Sequence, residues 1–220
     1  MEDIILFHGS RGGIEGPIRP ESRIRSDFGS GFYMGTNKDQ AKSLVATDPA
    51  PYFYSLKVNL SKIMESHILV LKDMEWAYFV LFNRGRLDNI KGSDLFKRCS
   101  ELPIGKDYII GPIADDAMNE AMSRFTHNEI TDKAFLESIR AMKYGIQYVA
   151  KTNLACSVID IQSEKELYGK ELEDALEMSI RRRKEGSEVA NKMQLKYRRE
   201  GLYFDEILEK NFIEKRSIRK

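Results

Sequence analysis

Two stretches hold the residues best suited to chemistry. "FHGS", residues 7–10, ends a short apolar run with an imidazole, a glycine and a hydroxyl. "DFGSGFYM", residues 27–34, sets two glycines beside an acid and an aromatic pair, Phe32 and Tyr33. Glycine lets a backbone turn at positive φ and lets another group come close to main-chain atoms. Strand alternation sends Phe32 and Tyr33 to opposite faces. On the side of a cleft, Tyr33 would offer a flat ring for stacking and a hydroxyl for orientation. The stretch reads in two ways: a glycine turn beside two core aromatics, or a loop shaped to hold a ligand.

Several common chemistries are excluded by spacing. Gly29 and Gly31 begin a G-x-G pattern, but Met34 stands where a dinucleotide or kinase loop needs its third glycine. The chain has neither a phosphate-loop G-x-x-x-x-G-K-[ST] nor a G-x-S-x-G elbow. His8 and Ser10 share a strand face, yet nothing supplies the rest of a hydrolytic triad. Two cysteines, Cys99 and Cys156, and three histidines form no ligand cluster, so no metal site is expected. Reduced thiols point to the cytoplasm.

The elements that must position these residues follow from the hydrophobic pattern. The 220 residues are 42% hydrophobic, enough to bury a core, and the net charge of +1 selects no class of partner. No segment reaches the roughly 20 apolar residues of a membrane helix, and "MEDIILFHGS" lacks the basic start of a secretion signal. Seven strands are expected: "DIILFHG", "GFYMGT", "YFYSLKV", "HILVL", "DYIIGPIA", "YGIQYVAKT" and "ACSVIDI". Helices are expected over "NKDQAKSLVAT", capped by Thr36 or Asn37, over "DMEWAYFVLFNRGR", and over "DDAMNEAMSRF" and "ITDKAFLESIRAMK". After Ile161 the pattern is charged and helical, with no strand. The expected organisation is an α+β domain over residues 1–160 and a helical extension over 161–220.

Taken together, "FHGS" at 7–10, "DFGSGFYMGTNKDQA" at 27–41, "EWAYFVLFNRG" at 75–85, "YIIGPIADD" at 108–116 and "GIQYVAKT" at 145–152 carry a resemblance. The chain resembles the diphtheria-toxin-like branch of the ADP-ribosyltransferases. It is closer still to a bacterial family of small toxin-like proteins catalogued as a domain of unknown function, with "HGS" and "DFG-x-GFY" motifs. The resemblance spans roughly residues 4 to 160. It implies a split β-sheet core with flanking helices, and NAD as a substrate.

Residue by residue, the resemblance implies that His8 hydrogen-bonds a ribose hydroxyl of NAD and that the Gly9 main chain takes the nicotinamide carboxamide. Ser10 adds a hydroxyl beside the ribose, and Tyr33 stacks on nicotinamide. Arg23 or Arg25 meets the pyrophosphate, while Phe28 and Gly31 complete the NAD-binding set. The third catalytic position, Glu in many relatives, falls on Gln147; no Asp or Glu occurs between Glu137 and Asp160. A Glu can stabilise positive charge or act as a base, whereas a neutral Gln only orients. Asp27, Asp115 and Asp116 are then candidates to deprotonate an acceptor, and the last two also suit a helix N-cap. Asn83 and Arg84, at the end of the expected helix, are expected to brace the neighbouring loop, the alternative being that they reach the site.

The implied activity is mono-ADP-ribosylation of a macromolecule, protein or nucleic acid, by a bacterial toxin of a toxin–antitoxin or phage-defence locus, with a cognate antitoxin as partner. An NAD-hydrolysing variant, an NAD-binding module without turnover, and a nucleic-acid-binding module without NAD chemistry are the alternatives. Residues 181–199 hold eight Lys or Arg against two Glu. That stripe could meet phosphates, with Tyr197 stacking on a base, or it could be a solvated helix face or the docking site of a partner.

Overall fold

The computed structural model describes residues 3–114, 116–141 and 145–209. Seven strands form one mixed sheet. They are β1 (Ile4–Ser10), β2 (Phe32–Gly35), β3 (Tyr52–Val58), β4 (Ile68–Val70), β5 (Tyr108–Pro112), β6 (Ile146–Ala150) and β7 (Ile159–Glu166). Their order in the sheet is β4-β5-β6-β2-β1-β3-β7. Only β4 and β5 run parallel; the other neighbours are antiparallel. The sheet narrows sharply at one place. β1 pairs with β3 along its whole length, from Ile4↔Val58 to Ser10↔Tyr52, but meets β2 at Phe7↔Gly35 alone.

Helices α1 (Lys38–Val45), α2 (Asp73–Asn83), α3 (Asp94–Glu101), α4 (Asp116–Thr126), α5 (Asp132–Ala141), α6 (Asn153–Ser157) and α7 (Gly169–Tyr197) flank the sheet. Asn37 caps α1, its carboxamide accepting from the backbone of Asp39 and Gln40 at 3.1 Å. Thr36, the other expected cap, instead accepts from the Ile146 amide and ties β2 to β6. α2 buries Trp76, Ala77, Phe79, Val80 and Leu81, residues that occupy most of its circumference. It is sandwiched between the sheet and other helices rather than lying at the surface.

Two core layers result. On one face Ile109 and Val149 meet Phe28, Trp76, Phe125 and Phe135 from the helical side. On the other, Leu6, Phe32, Met34, Tyr54 and Tyr108 are covered by the segment holding Ile14 and Ile18 and by α6. α1 closes the first face over β1 and β3, through Ala41, Val45 and Phe53.

Two expectations need correction. The expected strand "ACSVIDI" begins as α6, capped by Thr152 on the Ala155 amide, and the strand itself starts at Ile159. β7 then continues through Gln162–Glu166, where no strand was expected. Those residues are exposed and polar or charged, so they carry no hydrophobic alternation; the free backbone edge of β3 recruits them. α3 was also not anticipated; Ser93 caps it through the Phe96 amide. The helical extension shares the main core. Ala190 is buried there, Glu171 pairs with Lys42 of α1, and Arg124 of α4 donates to Asn191 and Gln194. No helix among the described residues is long and apolar enough to cross a membrane.

Candidate functional site

The site is built around the narrow junction of β1 and β2. With one ladder pair there, the carbonyl of Tyr33 has no backbone partner on β1, and the His8 ring takes it: Nδ1 lies 2.6 Å from the Tyr33 oxygen. A carbonyl only accepts, so Nδ1 carries the proton and Nε2 is the free acceptor of the neutral ring. Burial pushes the imidazole pKa below its ordinary value, against the pull of the Tyr33 carbonyl. The ring packs on Phe32 at 4.4 Å between centroids, with Tyr54 at 6.1 Å. Ser10 donates to the Gly13 carbonyl at 2.8 Å and closes the turn after β1. At Gly9 an added Cβ would stand 2.3 Å from the Ala41 carbonyl oxygen. The close approach of α1 is therefore enough to require glycine there.

The "DFGSGFY" stretch is a tightly held turn. Phe28 is fully buried, its ring 5.9 Å from Phe79. The Tyr33 hydroxyl reaches back to the turn, accepting from the Phe28 amide and donating to the Gly29 carbonyl, both at 2.8 Å. Gly29 has φ +73°, and a Cβ there would meet the Asn83 carboxamide at 2.9 Å. At Gly31 a Cβ would meet Val149 at 2.5 Å, so the turn lies directly against β6. Lys151, just past β6, donates to the carbonyls of Phe28 and Ser30. Burial lowers this ammonium to about 8. Arg84, at the end of α2, holds Asp27 with Nη2 at 2.6 Å and Nε at 2.7 Å from the same carboxylate oxygen, and also donates to Asn119. Burial pushes the Asp27 carboxyl up and outweighs the opposing pull of Arg84.

Gln147 completes this cluster. It is 6% exposed; its amide donates to the Pro112 carbonyl at 3.1 Å and hydrogen-bonds Asp27. The Trp76 indole donates to that same Pro112 oxygen at 2.9 Å. Register decides which residues share a face. Tyr33 pairs with Val149 and Gly35 with Gln147, so Tyr33 and Gln147 both point toward α2. Phe7 pairs with Gly35 and His8 with Tyr54, so His8 points the other way, into the layer of Phe32 and Tyr54. The structure gathers Asp27, Tyr33, Arg84 and Gln147. His8 lies across the sheet from them and joins them through the Tyr33 backbone.

A family model described as a protein of unknown function, DUF3990, matches residues 4–161. The chain belongs to the DUF3990 family. No curated protein and no solved structure matches it. The matched span begins with β1 and stops within β7, so it takes in the whole junction and every residue of the cluster and excludes α7.

The remaining candidates of this DUF3990 chain fall outside the cluster. Arg23 and Arg25 are exposed on the loop before the turn, Arg25 at φ 63° with its guanidinium beside Gly85. Phe28, expected against NAD, has its whole surface in the core and supports the turn from beneath. Asp115 lies outside the described residues, as does the side chain of Asp116. Along α7 the cations at 181, 184, 192, 196, 198 and 199 are exposed, but the Tyr197 ring is packed on the core with Lys133 and Lys196 over it, 5.3 and 4.9 Å from its centroid. Lys151 and Asn119 were missed from sequence. Lys151 lies within "GIQYVAKT" but was given no role there, and Asn119 belongs to none of the quoted stretches.

Proposed function

We propose that this DUF3990 chain is an NAD-dependent mono-ADP-ribosyltransferase of the toxin type, which transfers ADP-ribose to a protein or nucleic acid and is held in check by a cognate antitoxin. One observation carries the proposal. The three strands bearing "HGS", "GFY" and "IQY" are consecutive neighbours in the sheet, β1, β2 and β6, and the ladder is nearly open between the first two. That opening supports reading the sheet as the two halves of a split ADP-ribosyltransferase core. His8 is neutral, with Nε2 left as an acceptor for a ribose hydroxyl. In the transfer, the C1′–nicotinamide bond breaks with its electron pair leaving on nicotinamide. The acceptor's nucleophile then bonds C1′ and loses its proton.

A second reading, an NAD-binding or NAD-hydrolysing protein without transfer, is favoured by Gln147. Its amide is already held by Pro112 and Asp27 and lies across the sheet from His8. The two readings separate with NAD labelled on the adenylate side, incubated with purified protein and a bacterial lysate beside His8→Ala and Gln147→Ala. Label in a protease-sensitive or nuclease-sensitive product, lost in His8→Ala, is expected for a transferase. Free ADP-ribose alone means hydrolysis. Saturable NAD binding without turnover means a binding module. Folded protein that neither binds nor consumes NAD overturns both readings.

A further inference from the structure

A cavity of about 480 Å³ opens at the other end of β6 from Gln147, lined in part by His67, Lys106, Asp107, Lys151, Thr152 and Leu154. This is within the ~300–1,000 Å³ of small-molecule sites. We propose that it binds a compact phosphate-bearing anion, with Lys106 and the imidazolium form of His67 as donors and Asp107 as the residue that positions His67.

Asp107 is fixed from both sides. Its amide donates to the His67 carbonyl and its carbonyl accepts from the Lys151 amide, both at 2.8 Å, so it joins the start of β4 to the end of β6. Its carboxylate is fully engaged. Oδ2 lies 2.8 Å from His67 Nδ1, and Oδ1 accepts from the Thr152 hydroxyl at 2.6 Å. That hydroxyl already accepts from the Ala155 amide, so its proton goes to Asp107, which must be an acceptor. Burial pushes the Asp107 carboxyl up, but Thr152 and His67 outweigh it and hold the group below the ordinary carboxylate range.

The consequence falls on His67. Nδ1–H faces the carboxylate, so the ring orientation is set and Nε2 is left for a ligand, to which it donates when the ring carries its second proton. The side chain remains 42% exposed despite that anchoring. Lys106 uses one ammonium proton on the Ser66 carbonyl, at 2.6 Å, and has two more to donate. Lys151 also lines the cavity, but its ammonium is turned to the Phe28 and Ser30 carbonyls of the glycine turn. Asp107, the one acid among the described lining residues, has both oxygens occupied, so Lys106 and the protonated His67 ring meet an anion without that carboxylate competing for them. No Phe, Tyr or Trp is among the described lining residues. A nucleobase would therefore find no stacking platform, and the phosphate is the recognised part.

The test titrates the full chain with pyrophosphate, ribose 5-phosphate and ribose by calorimetry at low salt, and follows the His67 ring by proton–nitrogen correlation. Saturable binding of both phosphates, no binding of ribose, and a shifted His67 Nε2 signal are expected. His67→Ala and Lys106→Ala should each weaken binding about tenfold, the size of a lost charge-assisted hydrogen bond. Lys106 is part-exposed on a loop, so its variant tests the site even if removal of His67 disturbs the fold. Absence of heat with either phosphate at millimolar concentration, equal affinity for ribose, or unchanged affinity in a folded Lys106→Ala protein overturns the proposal.

Discussion

Arg84 grips Asp27 through two nitrogens, at 2.6 and 2.7 Å, and so fastens the end of α2 to the first residue of the glycine turn. Both side chains are mostly buried, 15% and 17% exposed. A pair of this kind contributes little beyond an apolar replacement, but removing one partner strands the other charge. Arg84→Met should therefore cost about 3–5 kcal/mol, read as a lower urea midpoint. Asp27→Asn in the same chain should recover part of that loss. Independent, additive losses would show that the pair does not act as a unit.

Gly9 separates packing from ligand binding. A methyl there meets the Ala41 backbone oxygen at 2.3 Å, and a backbone carbonyl of α1 cannot rotate away as a side chain would. Gly9→Ala should destabilise the fold by about 1–3 kcal/mol whether or not NAD is present. A variant of unchanged stability that had lost NAD binding would assign Gly9 to the ligand alone.

Tyr33→Phe removes one donor and one acceptor from the turn and leaves the Phe28 amide without its partner. About 1–3 kcal/mol should be lost for the buried unpaired amide. Amide exchange at Phe28 should quicken more than exchange at the core strands, because the turn opens first.

His8 makes stability depend on pH. Its folded pKa lies below the 6.5 of a free imidazole, so on acidification the unfolded chain takes up this proton first. Its contribution is complete above about pH 6.5 and is lost as pH falls below that value. Asp27, raised in the fold by burial, acts in the opposite sense and is common to both chains compared. The wild type should lose more stability between pH 7 and 5 than His8→Gln, measured as urea midpoints at each pH. Equal slopes would contradict a buried neutral ring.

Lys151 acts at the alkaline end. Its ammonium is lowered to about 8, so between pH 8 and 10 the unfolded chain holds the proton that the folded chain releases. Stability should rise over that interval, and the rise should shrink in Lys151→Met. An identical profile in the variant would mean the ammonium is not desolvated.

Six of the seven strands, and the first three residues of β7, are visible in the sequence, because each places branched or aromatic residues on a period of two or in a short apolar run. The turn "DFGSGFY" and the imidazole of "FHGS" are visible as well, since few positions tolerate that density of glycine beside aromatics. The tail of β7 is not. "QSEK" has no buried face, and only the open edge of β3 makes it a strand.

The candidate site divides in the same way. Alternation along β2 already separates Phe32 from Tyr33, and alternation along β1 separates His8 from Gly9; both follow from the chain alone. Whether His8 shares a face with Tyr33 and Gln147 depends on the pairing of β1, β2 and β6. Backbone pairing of Phe7 with Gly35, and of β2 with β6 residues more than a hundred positions away, sets that arrangement, and shifting either by one residue would reverse the answer. Tertiary structure alone put Asp27, Tyr33, Arg84 and Gln147 on one side, His8 on the other, and a histidine–aspartate pair at the far end of the same strand.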